Sequence, residues 1–395
     1  MTPPTSRVLR PEEELVLLAA GTCARRQANA DRASGLLNRV AWDTVLAELA
    51  YQHLVPLLGG RIVEMAGAAA PWGFTGAVRE QTHASREAGA LLELMTLRIA
   101  SALEAVGVTN VPLKGPLLAR ALHGDPAMRS SRDIDVLVAR ADLGRAADAL
   151  AALGWRPDRD AARNPVLHLC LVHPGGLPDV ELHWRVHWYE TEFGARALAR
   201  SQAGAEGIRR LRAEDDLVAL MLYQARDGFA GLRHPTDVAA WWDAHGSPSG
   251  PPVIEPILRA HPGLRRALTA AANLLERMVG VPAWRLVDLP ARRPWGSRGA
   301  IVLANPFMHG EPHQITAEVS LVDGLLAPKG QRSAVFRRRV LPHVSELPAS
   351  SARRPLVLAR ANHTLRLLRR YALALARSRP RLPDDWRVGG PGDVG

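Results

Sequence analysis

The chain has 395 residues, 47% of them apolar and 23% charged, enough to bury the cores of two domains. It has no run of eighteen apolar residues, so a transmembrane helix is not expected, and its two cysteines, Cys23 and Cys170, exclude a disulfide framework. The net charge of +11 is carried almost wholly by arginine, since only Lys114 and Lys329 are lysine.

The first residues, Met1 to Arg7, lack the apolar core of a signal peptide because Glu12, Glu13 and Glu14 follow, and a cytoplasmic protein is expected. Pro11 to about Cys23 predicts a helix, with proline in the first turn and the three glutamates at its positive end. Trp42 to Leu58 predicts another, with Val45, Leu46, Leu49 and Ala50 at helical spacing. Val78 to about Val106 predicts a long helix so rich in leucine that burial on more than one side is expected; Gly107 ends it.

The periodicity then changes. Val108–Leu113 predicts a strand, and Gly115-Pro116 opens a helix through Leu117, Leu118, Ala121 and Leu122. After a Gly124-Asp125-Pro126 turn, Asp133–Val138 predicts the second strand, and a helix from Leu143 is stopped by Gly154. Val166–Val172 and Val180–Val186 predict the third and fourth strands around Pro174-Gly175-Gly176. On the fourth, Val180, Leu182, Trp184 and Val186 share one face and Asp179, Glu181, His183 and Arg185 the other.

From residue 195 onward the pattern is helical over Asp215–Asp227, Pro235–His245, Pro256–Val279 and Arg360–Ala376. Val287–Pro294 reads as a linker, and the tail from Gly389 as disordered. Arg337-Arg338-Arg339, Arg353-Arg354 and Arg366, Arg369 and Arg370 gather positive charge. Few aromatics interleave with them, so a solvated helical face is favoured over a nucleic-acid surface.

The chemistry concentrates between residues 111 and 185. Asp133 and Asp135 project from one strand face, where two carboxylates repel unless a cation or proton lies between them. Upstream, Lys114-Gly115-Pro116 has the form of a turn that lets backbone N–H groups approach a phosphate. Carboxylate pair and phosphate turn together point to metal-assisted phosphoryl or nucleotidyl transfer. His168, Cys170, His173, His183 and His187 crowd one stretch, but their spacing fits no standard zinc pattern.

The segments Leu113-Lys114-Gly115, Arg129-x-x-Arg132-Asp133-Ile134-Asp135-Val136-Leu137-Val138, Leu153-Gly154-Trp155 and Val180-Glu181-Leu182-His183-Trp184-Arg185 resemble the uncharacterised nucleotidyltransferase family of the DNA-polymerase-β-like superfamily. The motifs cover about residues 90 to 190. Lys-Gly-Pro stands where many superfamily members carry Gly-Ser, and the interval from Gly115 to Asp133 is longer than usual, both typical of this family. The third acid is Glu181.

The resemblance implies an α/β (α+β) core with a small mixed sheet, flanked by N-terminal helices and a C-terminal helical domain. The expected division is residues 1–88, 89–192, 193–380 and a flexible tail, 381–395. It implies catalytic, metal-binding Asp133, Asp135 and Glu181, with Asp179 as the fallback acid and His183 in support. Lys114, Gly115, Arg129 and Arg132 are the expected NTP ligands. Two Mg²⁺ ions, or Mn²⁺, are the expected cofactors. The partners are an NTP and an acceptor whose identity no motif encodes, with a natural-product peptide or small molecule as one class. A kinase-like phosphoryl transferase and a noncatalytic NTP-binding or partner protein stay open as alternatives. A structural role also stays open for Lys114, Arg129, Arg132 and His183.

Overall fold

A computed structural model describes residues 6–158, 167–187, 190, 192–204, 207–247, 249–289, 295–309, 312–328, 330–331, 356–376, 379–380 and 382. Lys329, the runs Arg337-Arg338-Arg339 and Arg353-Arg354, most of the expected 287–294 linker and the tail lie outside the described residues.

A short strand, β1 (Ser6–Arg7), precedes helices α1 (Pro11–Ala20), α2 (Cys23–Ala28), α3 (Ala30–Leu37), α4 (Trp42–Tyr51), α5 (Gly60–Ala66) and α6 (Trp72–Ala105). Helix α1 starts at Pro11 as expected, and Glu13 accepts from the Arg10 N–H at 3.0 Å. The helix expected over Trp42–Leu58 is interrupted. His53 takes a positive φ of 57°, and the chain resumes as a π turn over Val55–Gly59 with Pro56 in its first turn. Helix α6 buries Leu92, Met95, Ile99 and Leu103 along one stripe while Leu91 and Leu94 are exposed, so it is not buried on several sides as its leucine density suggests.

The sheet holds β2 (Asn110–Pro112), β3 (Asp133–Val138), β4 (Arg156–Pro157), β5 (His168–Val172) and β6 (Asp179–His183) in the order β2-β3-β6-β5-β4. Strands β3 and β6 run parallel and the other pairs antiparallel. Helices α7 (Pro116–His123) and α8 (Leu143–Ala152) lie in the connections. Ile134, Val136, Val138, Leu171, Val180 and Leu182 bury one sheet face with side chains of α6 and α8. On the other face Leu137 joins a larger core made mostly of helices. The carboxylates of β3 and β6 therefore face the helical half of the molecule.

That half contains α9 (Phe193–Ala199), a small ladder of β7 (Gln202–Ala203) with β8 (Arg209–Arg210), and helices α10 (Ala213–Arg226), α11 (Arg233–His245), α12 (Glu255–Ala260), α13 (Arg265–Val279), α14 (Ala283–Leu286), α15 (Trp295–Leu303), α16 (Pro312–Leu326) and α17 (Leu356–Ala376). The single helix expected over Pro256–Val279 is two, because Pro262-Gly263 reduces the join to one 3₁₀ turn. Val287, expected in a linker, is fully buried. Strand β9 (Arg379–Pro380) returns to pair in parallel with β1. The fold is thus mixed α/β, and no helix among the described residues is long and apolar enough to cross a membrane.

Candidate active site

The parallel β3–β6 register sets Asp135 beside Glu181 and Asp133 beside Asp179. Because alternate side chains share a face, Asp133, Asp135 and Glu181 converge. One ligand oxygen from each lies within 4.8 Å of the others. Asp135 is buried, Asp133 and Glu181 are half-buried, and Asp179 is exposed. Asp133 also accepts from the Ser131 hydroxyl at 3.1 Å.

Asp135 is the hub. The Lys114 Nζ lies 2.9 Å from its Oδ2, and His183 Nε2 lies 2.7 Å from its Oδ1. The same His183 nitrogen is 3.0 Å from Glu181 Oε2, and His168 Nε2 is 3.5 Å from Glu181 Oε1. Burial pushes the Asp135 carboxyl up, but the Lys114 ammonium and then His183 outweigh it and hold the group well below the ordinary carboxylate range. Glu181 follows the same balance, with burial opposed chiefly by its hydrogen bond to His183, and ends lowered. The buried His183 ring is disfavoured as a cation by burial, yet its bonds to both carboxylates raise its pKa above the ordinary value. For His168, burial and then the charge of His183 lower it.

Gly115 precedes the first residue of α7 with φ 80° and ψ −153°, a conformation open essentially to glycine alone. A Cβ built there meets nothing within 4 Å, so the backbone at the helix start faces open space. Lys114 ties this turn to Asp135 and lies 4.8 Å from the centre of the Tyr223 ring. Arg132 is exposed. Arg129 is drawn into the interior, where its Nε donates to Asp237 Oδ2 at 2.9 Å and His123 Nε2 lies 3.0 Å from Asp237 Oδ1. Arg129 is thus held by a buried carboxylate.

Several residues around the site carry no local sequence signal. Tyr223 and Arg226 reach it from the last turns of α10, with Arg226 Cζ 5.1 Å from the Tyr223 ring centre. Arg233 donates to the Ser130 carbonyl from the start of α11. They are far from the acids in sequence, and only the tertiary fold joins them. Asp237 did leave a trace, an acid beside Val238, Ala239 and Ala240 within an otherwise buried helix stretch.

Of the histidine-rich stretch, His168 and His183 come together, with ring centres 4.8 Å apart and Glu181 within ligand distance of both. His173 instead packs edge-on against Trp155 and accepts from the Gly175 N–H, and His187 points toward Asp323. Burial, with Glu181 and other nearby acids, pushes the Cys170 thiol up to about 11, unsuited to a thiolate ligand. The acidic trio suits a hard cation better. It supplies carboxylate oxygens, and the Asp135 Oδ2 is buried with the Lys114 ammonium 2.9 Å away.

No curated protein and no solved structure matches the chain. The profile of one family, described as uncharacterised nucleotidyltransferase, matches residues 38–280, which take in the sheet, the acidic trio and helices α10, α11 and α13. With most of its length and its whole acidic face inside that match, the chain belongs to the uncharacterised nucleotidyltransferase family.

Proposed function

We propose that this protein moves an NMP group from an NTP to a hydroxyl or phosphate of an acceptor, a peptide or small molecule, in a metal-dependent reaction that releases pyrophosphate. The observation that carries the reading is the convergence of Asp133, Asp135 and Glu181 on one face of a parallel ladder. In this reading these three carboxylates hold Mg²⁺ or Mn²⁺, two ions being expected, which when bound supplies positive charge against the phosphates and the attacking oxygen. Glu181 takes the acceptor proton, and His183 keeps Glu181 and Asp135 oriented and ionised. The Gly115 backbone, Lys114 and the exposed Arg132 meet the triphosphate. Asp179 lies across from Asp133 and is the fallback acid. Residues 89–192 then form the catalytic core, and 193–380 the helical domain that shapes the acceptor side.

A second reading, noncatalytic NTP binding, is favoured by one observation. Lys114 and His183 already compensate the Asp135 charge without any metal. Incubation with each NTP, labelled in turn at the α- and at the γ-phosphate, with Mg²⁺ and cell extract separates the readings. Transfer of the α-label with pyrophosphate release supports nucleotidyl transfer. Transfer of a γ-label with diphosphate release makes the protein a kinase instead, and binding without transfer of either label supports the second reading.

A further inference from the structure

Beside the acidic site lies a cavity of about 350 Å³, within the size range of small-molecule pockets. Its apolar wall is Leu232, Pro306, Met308, Ile315 and Val319, and Tyr51 closes one side with its ring centre 4.2 Å from that of His309. Four of these five wall residues, all but Leu232, lie beyond the family match.

Arg226 and Arg233 also line the cavity and connect it to the acids. Arg226 lies against the same Tyr223 ring as Lys114, which is 2.9 Å from Asp135. Arg233 holds the Ser130 carbonyl just ahead of Asp133. The cavity therefore has an apolar interior and, on the side of the carboxylates, two arginines with one aspartate, Asp227, whose Oδ1 lies 3.6 Å from Arg226 Nε and whose Oδ2 lies 3.1 Å from His234 Nε2. Gln52, the one amide side chain lining it, is already engaged. Its Nε2 donates to Glu48 and to the Pro306 carbonyl, and its Oε1 accepts from the Leu232 N–H.

We infer that this cavity takes the base and sugar of the nucleoside triphosphate, with the triphosphate led over Arg226 and Arg233 to Asp133, Asp135 and Glu181. The inference rests on the proposed function. A flat ring with a polyanionic chain matches an apolar wall with a cationic edge. With the Gln52 amide occupied and the Asp227 carboxylate paired with Arg226 and His234, the cavity gains affinity from ring area rather than from hydrogen bonds that distinguish bases, so purines bind more tightly than pyrimidines and differ little between themselves.

The test is calorimetry in Mg²⁺ with inorganic tripolyphosphate and with α,β-methylene analogues of the four NTPs. The wild-type protein is expected to bind the purine analogues about 10-fold or more tightly than tripolyphosphate. Ala230→Phe and Ile315→Trp each place a large side chain in the cavity from a different wall. Either variant, folded by circular dichroism, should bind the analogues no better than tripolyphosphate, with tripolyphosphate affinity unchanged. Wild-type analogue affinity in both folded variants overturns the inference and leaves the cavity to another ligand, while the phosphate site stands. Failure of the wild type to bind tripolyphosphate and every analogue removes the NTP-transfer reading itself, and this inference with it.

Discussion

Asp133 and Asp135 stand two residues apart on one strand face, yet their surroundings set them different tasks. Asp135 is buried between a lysine and a histidine, whereas the half-buried Asp133 carboxylate accepts from the Ser131 hydroxyl. Asp133→Asn removes one charged oxygen of the acidic trio and little else. Asp133→Asn should therefore lower Mg²⁺-dependent transfer by about 10²-fold or more with an unchanged melting temperature. Asp135→Asn also strands the Lys114 charge, and breaking a buried pair costs about 3–5 kcal/mol. It should lose transfer and melt earlier. Label transfer and thermal unfolding of the two variants check this contrast, and equal melting temperatures would show that Lys114 does not depend on Asp135. Asp-x-Asp was legible in the sequence because strand alternation is a local rule. The unequal burial of the two acids was not, since Lys114 and His183 come from other strand ends.

At the scale of elements, the turn between β2 and α7 is the proposed phosphate contact and is tied to the sheet. The Leu113 N–H donates to the Asp135 carbonyl at 3.0 Å, so the turn is pinned to the strand that carries the acids. Gly115 is required there by conformation and not by crowding, given its dihedral angles and the open space at its side. Gly115→Val should cost roughly 1–3 kcal/mol of stability from backbone strain, and it should also weaken binding of a nonhydrolysable NTP. Chemical unfolding and calorimetry measure the two effects, and normal binding in a strained but folded variant would reduce the turn to a link between strand and helix. Element by element, the segments with strong periodicity or a clear stop were readable: β3 has its expected ends, and α7 and α8 start where Pro116 and Leu143 suggest. Breaks inside apolar runs were not, as at His53 and Pro262-Gly263, because the apolar pattern continues across them. Short helices such as α2 and α3 have too few turns to show a period.

Across the whole molecule, a buried charge network joins the two halves. Asp237 of α11 receives Arg129 from the loop before β3, and His123 from the end of α7 contacts its other oxygen. Burial pushes the Asp237 carboxyl up, but Arg129 and then His123 more than reverse it and hold the group far below the ordinary range. The sign follows from linkage. A lowered folded pKa means that the contribution is present above the unfolded value, about 3.9, and is lost as pH falls through the folded value. Asp237→Asn should cost about 3–5 kcal/mol near neutrality. Its melting temperature should also fall less steeply between pH 6 and pH 3 than that of the wild type. Parallel pH profiles would show that the network contributes nothing through its ionisation. These partners lie on three separate stretches of chain, and only the tertiary fold brings them together.

The pairing of Ser6 with Arg379 and Arg7 with Pro380 joins segments from nearly opposite ends of the chain. A ribosome makes the first of these strands long before the second exists, so no growing chain can form this ladder until residues 379 and 380 have been made. Closing so large a loop carries a large entropic cost for only two residues of pairing. Ser6 and Arg7 must therefore wait for more than 370 further residues before their partner exists.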